Sequence, residues 1–379
     1  LQEHVTAWED LASDSIEPNP FFEHWMMIPA MKLVAGDSDL RVVLLYAPEP
    51  QRPRRRYLCG VFPLERTKGH KGLPISSLSL WRHRYCFLSV PLIRQGYADV
   101  CIRSFLDWLK DFDHGCALME FQRIPGDGPF NSALISALYD RNSLTFAAEA
   151  YVRAVLQPKI GAEAYIRAAI SAEHRKDIRR RGRRLAETGR LEYRELDSPA
   201  DVDYWIDQFL SLEVEGWKGD DGGAFACREA DRKFFVEIAK EAFRRNRLMM
   251  IALEFDGRPI SYKCNILAGE GSFAFKIAYD EQFSRYSPGL MLELNNIERV
   301  HAREDLEWMD SCACPDHPMI DRIWMDRKVI QNLVVPTGRH AGGFWVSALP
   351  LLRWFSRQVK AILSLNHRST SQEIQETDR

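Results

Sequence analysis

GSFAFKIAYDEQFSRYSPGLMLELNNIERVHAREDLEWMD, residues 271–310, reads in turn as a strand, a loop, a helix and a second strand. The first strand runs from Ser272 to Asp280. Its period of two sets Phe275, Ile277 and Tyr279 on one face and Lys276 and Asp280 on the other. The loop ends Arg285-Tyr286-Ser287-Pro288-Gly289. Ser287 suits a helix N-cap, Pro288 suits the first helical position, and Gly289 leaves the backbone unshielded. The helix that follows continues to about Arg303, with Leu290, Leu294, Ile297 and His301 on one face, and the second strand runs from Leu306 to Ala313. A helix packed this way points its N-terminus at the carboxyl end of the strand. Free amides and the positive end of the helix dipole then meet, which suits a phosphate.

The same order of elements occurs earlier in the chain. Arg41 to Tyr46, Tyr57 to Glu65 and Tyr85 to Val90 read as strands, Gly96-Tyr97 opens a helix through Val100, Phe105, Leu106 and Leu109, and Ala117 to Gln122 reads as another strand. In the second half Leu248 to Phe255 and Ile260 to Leu267 flank Asp256-Gly257, a hairpin signal, and lead into the strand at Ser272. Two copies of one architecture follow. The expected division is 1–155, a basic linker helix over 156–190, 191–342, and a tail over 343–379. Gln95-Gly96-Tyr97 stands in the first copy where Ser287-Pro288-Gly289 stands in the second, so the first copy is a degenerate site or a purely structural partner domain.

Composition narrows the class. The 379 residues are 46% hydrophobic and 27% charged, with a net charge of -2, so the chain can bury a large core and nucleic acid is not an expected partner on charge alone. Eight cysteines lie scattered without a framework, and there is no leader-like apolar run, so reduced thiols and a cytoplasmic place are expected. Cys312, Cys314 and His317 are metal-like in type but lack a fourth ligand at recognisable spacing, so no metal is expected. Met319 to Ile330 reads as a helix with Ile320, Ile323, Trp324 and Ile330 inward.

Charge is concentrated in one run, Arg175 to Leu185, whose helical reading puts cations all the way round. It is a solvated linker or a contact for phosphates of a cofactor, nucleotide or tRNA. The helix from Asp201 to about Trp217 aligns Val202, Ile206, Phe209, Glu213 and Gly216. A carboxylate in line with core positions is costly unless it is paired or working, and in a dry site it suits proton abstraction from an ammonium group. Pairing with Lys218 is the structural alternative.

Leu212-Glu213-Val214-Glu215-Gly216-Trp217-Lys218-Gly219, then Phe275 to Glu281, then Tyr286-Ser287-Pro288-Gly289 resemble the CelD-type acetyltransferases of the GNAT superfamily, relatives of the FemAB aminoacyltransferases. Arg183-Arg184-Leu185 fits, as do Trp8 and Pro18-Asn19-Pro20-Phe21. The resemblance spans residues 5 to 340. It implies an α/β fold of tandem GNAT-like domains, each a mixed, largely antiparallel sheet flanked by helices. It also implies acetyl-CoA or another acyl-CoA as donor, with the pantetheine arm between two splayed strands and the phosphates at Arg285, Tyr286, Ser287, Pro288 and Gly289. The longer glycine-bearing loop of simple GNAT enzymes is absent.

Attack of an amine on a thioester needs a base, oxyanion donors and a proton for the thiolate. Glu213 and Asp310 are the base candidates and Tyr279 or Tyr286 the acid. Trp217, Lys218, Lys276, Asp280 and His317 are candidate substrate contacts. A salt bridge from Lys276 to Asp280 or Asp310 is the structural alternative. The acceptor implied is an amino sugar or another envelope or exopolysaccharide precursor. FemAB-like transfer from aminoacyl-tRNA and a nucleotide-sensing module on the same scaffold are the competing readings. The tail, with Trp345, Leu349, Leu352, Trp354 and Phe355 among Arg353, Arg357 and Lys360, reads as a basic amphipathic helix. Such a helix covers its own domain, or docks on the inner membrane or a polysaccharide-synthesis partner.

Overall fold

The computed structural model describes residues 1–49, 52–112, 115–216, 222–338, 341–352 and 354. Two helices open the chain, α1 (Val5–Ser13) and α2 (His24–Leu33). They cover a sheet begun by β1 (Asp39–Glu49), β2 (Arg52–Thr67), β3 (Ser77–Leu80) and β4 (Leu92–Ile93). α3 (Ala98–Asp111), β5 (Leu118–Pro125), α4 (Pro129–Asp140) and β6 (Phe146–Leu156) complete the first half, and α5 (Ala162–Ala169) and α6 (Ala172–Ala186) lead out of it. The second half has β7 (Leu191–Glu195), α7 (Val202–Glu215), α8 (Glu229–Arg244), β8 (Leu248–Phe255), β9 (Arg258–Ala268) and β10 (Gly271–Tyr279). It ends with α9 (Pro288–His301), β11 (Trp308–Asp310), α10 (Ile320–Ile323) and β12 (Asp326–Pro336), after which residues 342–352 are helical.

The two mixed sheets join edge to edge in the order β1-β2-β3-β5-β12-β6-β11-β10-β9-β8-β7, with β4 on β2. Strands are exchanged at the join. β6 comes from the first half yet pairs with β11, and β12 ends the second half yet pairs with β5 and β6. Each half therefore needs a strand from the other to satisfy its backbone. The expected boundary at residue 155 falls inside β6. One core spans the join, with Phe21 edge-on to Phe273 at 5.3 Å and Phe225 and Phe234 against Tyr85.

Several expected elements differ. Tyr85 to Val90 is not a strand; the strand in that region is Ser77–Leu80, which pairs in parallel with β5. Met319 to Ile330 is not one helix, because the single turn Ile320–Ile323 gives way to β12, whose apolar residues fill the central sheet. Residues 342–352 bury Val346 and Leu349 beside Ile75, Leu118 and Val334, and leave Phe344 and Leu351 exposed. The rest of the expected tail helix, from Phe355 on, lies outside the described residues.

Within α9 the buried apolar residues are Met291, Leu292, Ile297 and Val300, with Glu293 and Asn296 buried among them. Leu290, Leu294 and His301 lie at the margins of that face. The helix is rotated from the expected sector because it buries two polar side chains as well as apolar ones. α6 is buried only on a narrow side, where Ile178 and Leu185 anchor it to the core by α9.

Candidate active site

β10 and β11 run parallel over three positions only, from Gly271 opposite Trp308 to Phe273 opposite Asp310. Beyond Phe273 a cavity of about 600 Å³ lies between them, lined by Ala274 to Tyr279 on one side and Ser311 to Cys314 on the other. On its other edge β10 pairs with β9, and the register slips between Ala274 and Lys276. This bulge leaves Phe275 without a partner residue on β9. It also corrects the expected alternation. Phe275 packs with Phe21, Phe87 and Phe225 in the core on the α7 side, the side that Lys276 faces, while Ile277 and Tyr279 face α9.

The mouth on the α9 side is built by Ser287, Pro288 and Gly289. Ser287 does not cap the helix. Its backbone is left-handed (φ 58°, ψ 54°), and its hydroxyl accepts a 2.9 Å hydrogen bond from Nη1 of Arg181 on α6. The same guanidinium reaches the carbonyl of Arg285 at 3.4 Å and is held by Asp177 at 2.8 Å. Arg285 stacks over the ring of Tyr286 at 4.7 Å. An L-residue in this conformation is strained, so the Arg181 bond helps fix the loop. Gly289 leaves open a position from which a Cβ would touch the Tyr279 ring at 3.4 Å.

The opposite mouth holds Glu213 and Lys276. Glu213 is 1% exposed at the end of α7. One carboxylate oxygen accepts from the Phe225 amide at 2.8 Å, and the other lies 3.9 Å from the Lys276 ammonium. Lys276 sits over the rings of Phe225 and Tyr85, at 4.8 and 5.2 Å. Burial lowers the pKa of Lys276, and the charges of Glu213 and Asp231 only partly oppose this. Asp231 is itself paired with Arg84 at 2.7 Å. Phe87 of the first half closes the cavity here, so both halves contribute to the wall.

Residues 172–317, from the start of α6 through the cavity, match the family described as Acetyltransferase (GNAT) domain. This stretch is similar to a GNAT acetyltransferase domain. No curated protein matches the chain. Among solved structures, FemX aligns with a TM-score of 0.54 at 9% identity, over 88% of this chain and 95% of that one. A conserved protein of unknown function from Bacteroides thetaiotaomicron aligns with 0.53 at 10% identity, over 88% and 97%. At such identities these two show a shared fold.

Geometry separates the other candidates. Asp310 is fully buried and committed: Arg153 donates to it at 2.7 Å, and its other oxygen accepts from the Cys312 amide at 2.8 Å. Arg153 also donates to the Phe87 carbonyl, so the pair ties the two halves together. Asp280 caps the short helix Glu281–Tyr286 through the Gln282 amide and meets Arg258 at 3.4 Å. The expected Lys276 bridge to Asp280 or Asp310 does not form; Lys276 pairs with Glu213 instead. His317 lines the cavity and uses Nδ1 to accept from the Met319 and Ile320 amides, both at 3.3 Å, so its neutral form carries the proton on Nε2. Burial lowers its pKa. Cys312 and Cys314 lie on the same wall, and among the described residues no three His, Cys, Asp or Glu side chains converge to hold a metal. Trp217 and Lys218 lie outside the described residues.

One group escaped the sequence reading. Lys263 on β9 and Glu293 on α9 both line the cavity and are paired at 2.7 Å. Glu293 also accepts from Asn296 at 3.0 Å and from the Trp324 indole at 3.2 Å, and Asn265 donates to Asn296 at 2.8 Å. Polar residues two apart on β9 and three apart on α9 carried the signal, since each pair shares a face.

Proposed function

We propose that the chain is an acyl-CoA-dependent N-acyltransferase with acetyl as the transferred group. The observation that carries this reading is a cavity running through the split between β10 and β11, with a helix N-terminus at one mouth and a buried carboxylate at the other. Phosphates of the donor meet Gly289 and the positive end of α9, with Arg181, Arg285 and Tyr286 beside them. The pantetheine arm lies along Ala274 to Tyr279, and the thioester reaches the bulge. Tyr279, on the α9 face beside Gly289, meets the donor arm near its phosphates, so the thiolate expelled at the bulge takes its proton from solvent rather than from this hydroxyl.

The acceptor amine enters on the α7 face. Glu213 accepts its proton as nitrogen attacks the thioester carbon, with Lys276 beside the carboxylate. A backbone amide at the bulge is the donor for the oxyanion, and collapse expels the CoA thiolate. Asp310 is left to structure, since it is held by Arg153 and the Cys312 amide and, unlike Glu213, does not line the cavity. An amino sugar or envelope or exopolysaccharide precursor as acceptor rests on the resemblance to CelD-type enzymes. A peripheral place at the inner membrane rests on the exposed Phe344, Leu351 and Trp354.

A second reading, transfer from aminoacyl-tRNA, is supported by a groove of about 1040 Å³ walled by Lys176, Arg179 and Arg183 of α6. Calorimetric titration with acetyl-CoA, tRNA and cyclic dinucleotides separates these readings. The donor assignment requires saturable acetyl-CoA binding. Binding of tRNA without acetyl-CoA replaces it with the second reading.

A further inference from the structure

Most of the cavity wall facing α9 is apolar: Ala274, Ile277, Leu290, Met319 and Ile320 line it. Such a wall would welcome an alkyl chain. The Lys263–Glu293 pair interrupts it. Lys263 is 3% exposed and Glu293 fully buried, and both open onto the cavity. Pairing across β9 and β10 sets Lys263 opposite Ile277 and Asn265 opposite Ala274. The ion pair thus stands between the closed end of the split and the α9 mouth.

A buried ion pair rarely adds net stability over apolar side chains of similar volume. This one is nonetheless held firmly, with Glu293 fixed by Asn296 and Trp324 and the Lys263 ammonium 5.9 Å from the Trp324 ring. An ammonium has three donors, and Glu293 takes one. Lys263 lines the cavity, where water or a small polar group can satisfy its remaining donors, whereas an alkyl chain laid against the ammonium cannot.

We propose that the Lys263–Glu293 pair sets the length of the transferred acyl group, admitting acetyl and rejecting medium and long alkyl chains. The proposal rests on the acyl-CoA reading above. A thioester held at the bulge leaves an acetyl methyl clear of the pair. Each further methylene must turn back along the α9 face, displacing whatever solvates Lys263.

The test compares CoA, acetyl-CoA, butyryl-CoA and octanoyl-CoA by calorimetry, without acceptor, on the full chain and on Lys263→Met/Glu293→Gln. Gln keeps an acceptor for Trp324 and Asn296, and Met keeps the length of the lysine stem. Affinity of the wild type is expected to fall about tenfold or more from acetyl to octanoyl, and the double variant to reverse that order. Free CoA serves as the reference that isolates the acyl contribution. A flat or rising wild-type series overturns the proposal without any variant. So does a folded variant, judged by its circular dichroism and acetyl-CoA binding, that keeps the wild-type order. A wild type that binds neither CoA nor any thioester overturns the donor reading and this inference with it.

Discussion

At the scale of single residues, Glu213 and Asp310 show how one residue type acquires different roles. Both are buried carboxylates, but Asp310 has Arg153 and the Cys312 amide on its two oxygens, whereas Glu213 opens onto the cavity beside a lysine over two rings. Glu213→Gln keeps the bond from the Phe225 amide and loses the base, so turnover is expected to fall about 10²-fold or more with donor affinity little changed. Steady-state kinetics with calorimetry checks this; wild-type turnover with an unaltered pH profile makes Glu213 structural. Asp310→Ala should instead leave Arg153 buried without its counter-charge and cost about 3–5 kcal/mol in urea denaturation. At the donor mouth, Gly289→Asp puts a carboxylate where phosphates sit, and the modest contact with Tyr279 leaves the fold intact. Acetyl-CoA affinity is expected to disappear from a folded variant, and unchanged affinity would remove the phosphates from this helix end. The burial of Glu213 was legible because a lone carboxylate fell in line with apolar helix positions. Glu293 was missed, since its partner lies on another element and the only signal was polar residues sharing a face, Lys263 with Asn265 and Glu293 with Asn296.

Elements were legible where periodicity was long and undisturbed, as in α7 and the β8–β9 hairpin, and misread where tertiary contacts decided. Ser287-Pro288-Gly289 has the composition of a capped helix start, yet Arg181 from a distant helix holds Ser287 in a left-handed conformation. The bulge at Phe275 is likewise invisible in an alternating pattern, because it depends on how β10 registers with β9. β12 was read as helix because its apolar residues lie on a strand with neighbours on both sides, where strict alternation breaks down. α6 remains the element whose role most needs measurement. Changing Arg179, Arg180, Arg183 and Arg184 to Gln spares Arg181. Acetyl-CoA affinity is expected to stay within about threefold, since exposed charges contribute little individually. Any affinity for tRNA should fall, and its salt dependence flatten, as fewer counterions are released. A large loss of acetyl-CoA affinity would extend the donor site onto α6.

Across the whole molecule, the exchange of β6 and β12 packs the two halves against each other, and His83 is buried where they meet. It is 3% exposed, packed among Trp81, Tyr85 of the first half and Phe234 of the second, and neither ring nitrogen has a hydrogen-bond partner among the described residues. Burial, helped by Arg82 and Arg84, pushes its pKa down from 6.5 to about 3. The folded chain therefore keeps His83 neutral, while the unfolded chain takes up a proton below about 6.5. Stability from this residue is whole above that pH and is lost as pH falls toward 3, by about 2 kcal/mol at pH 5. His24, His70 and His317 are also lowered, chiefly by burial, so the chain as a whole should lose stability in mild acid. His83→Phe isolates one contribution: the ring fits an aromatic site and forfeits no hydrogen bond. The urea midpoints of wild type and variant are expected to differ little above pH 7 and to separate in the variant's favour between pH 6.5 and 5. Parallel stability curves over that range would show that His83 either finds a proton acceptor in the folded state or meets water, and the junction between the halves would then be open rather than dry.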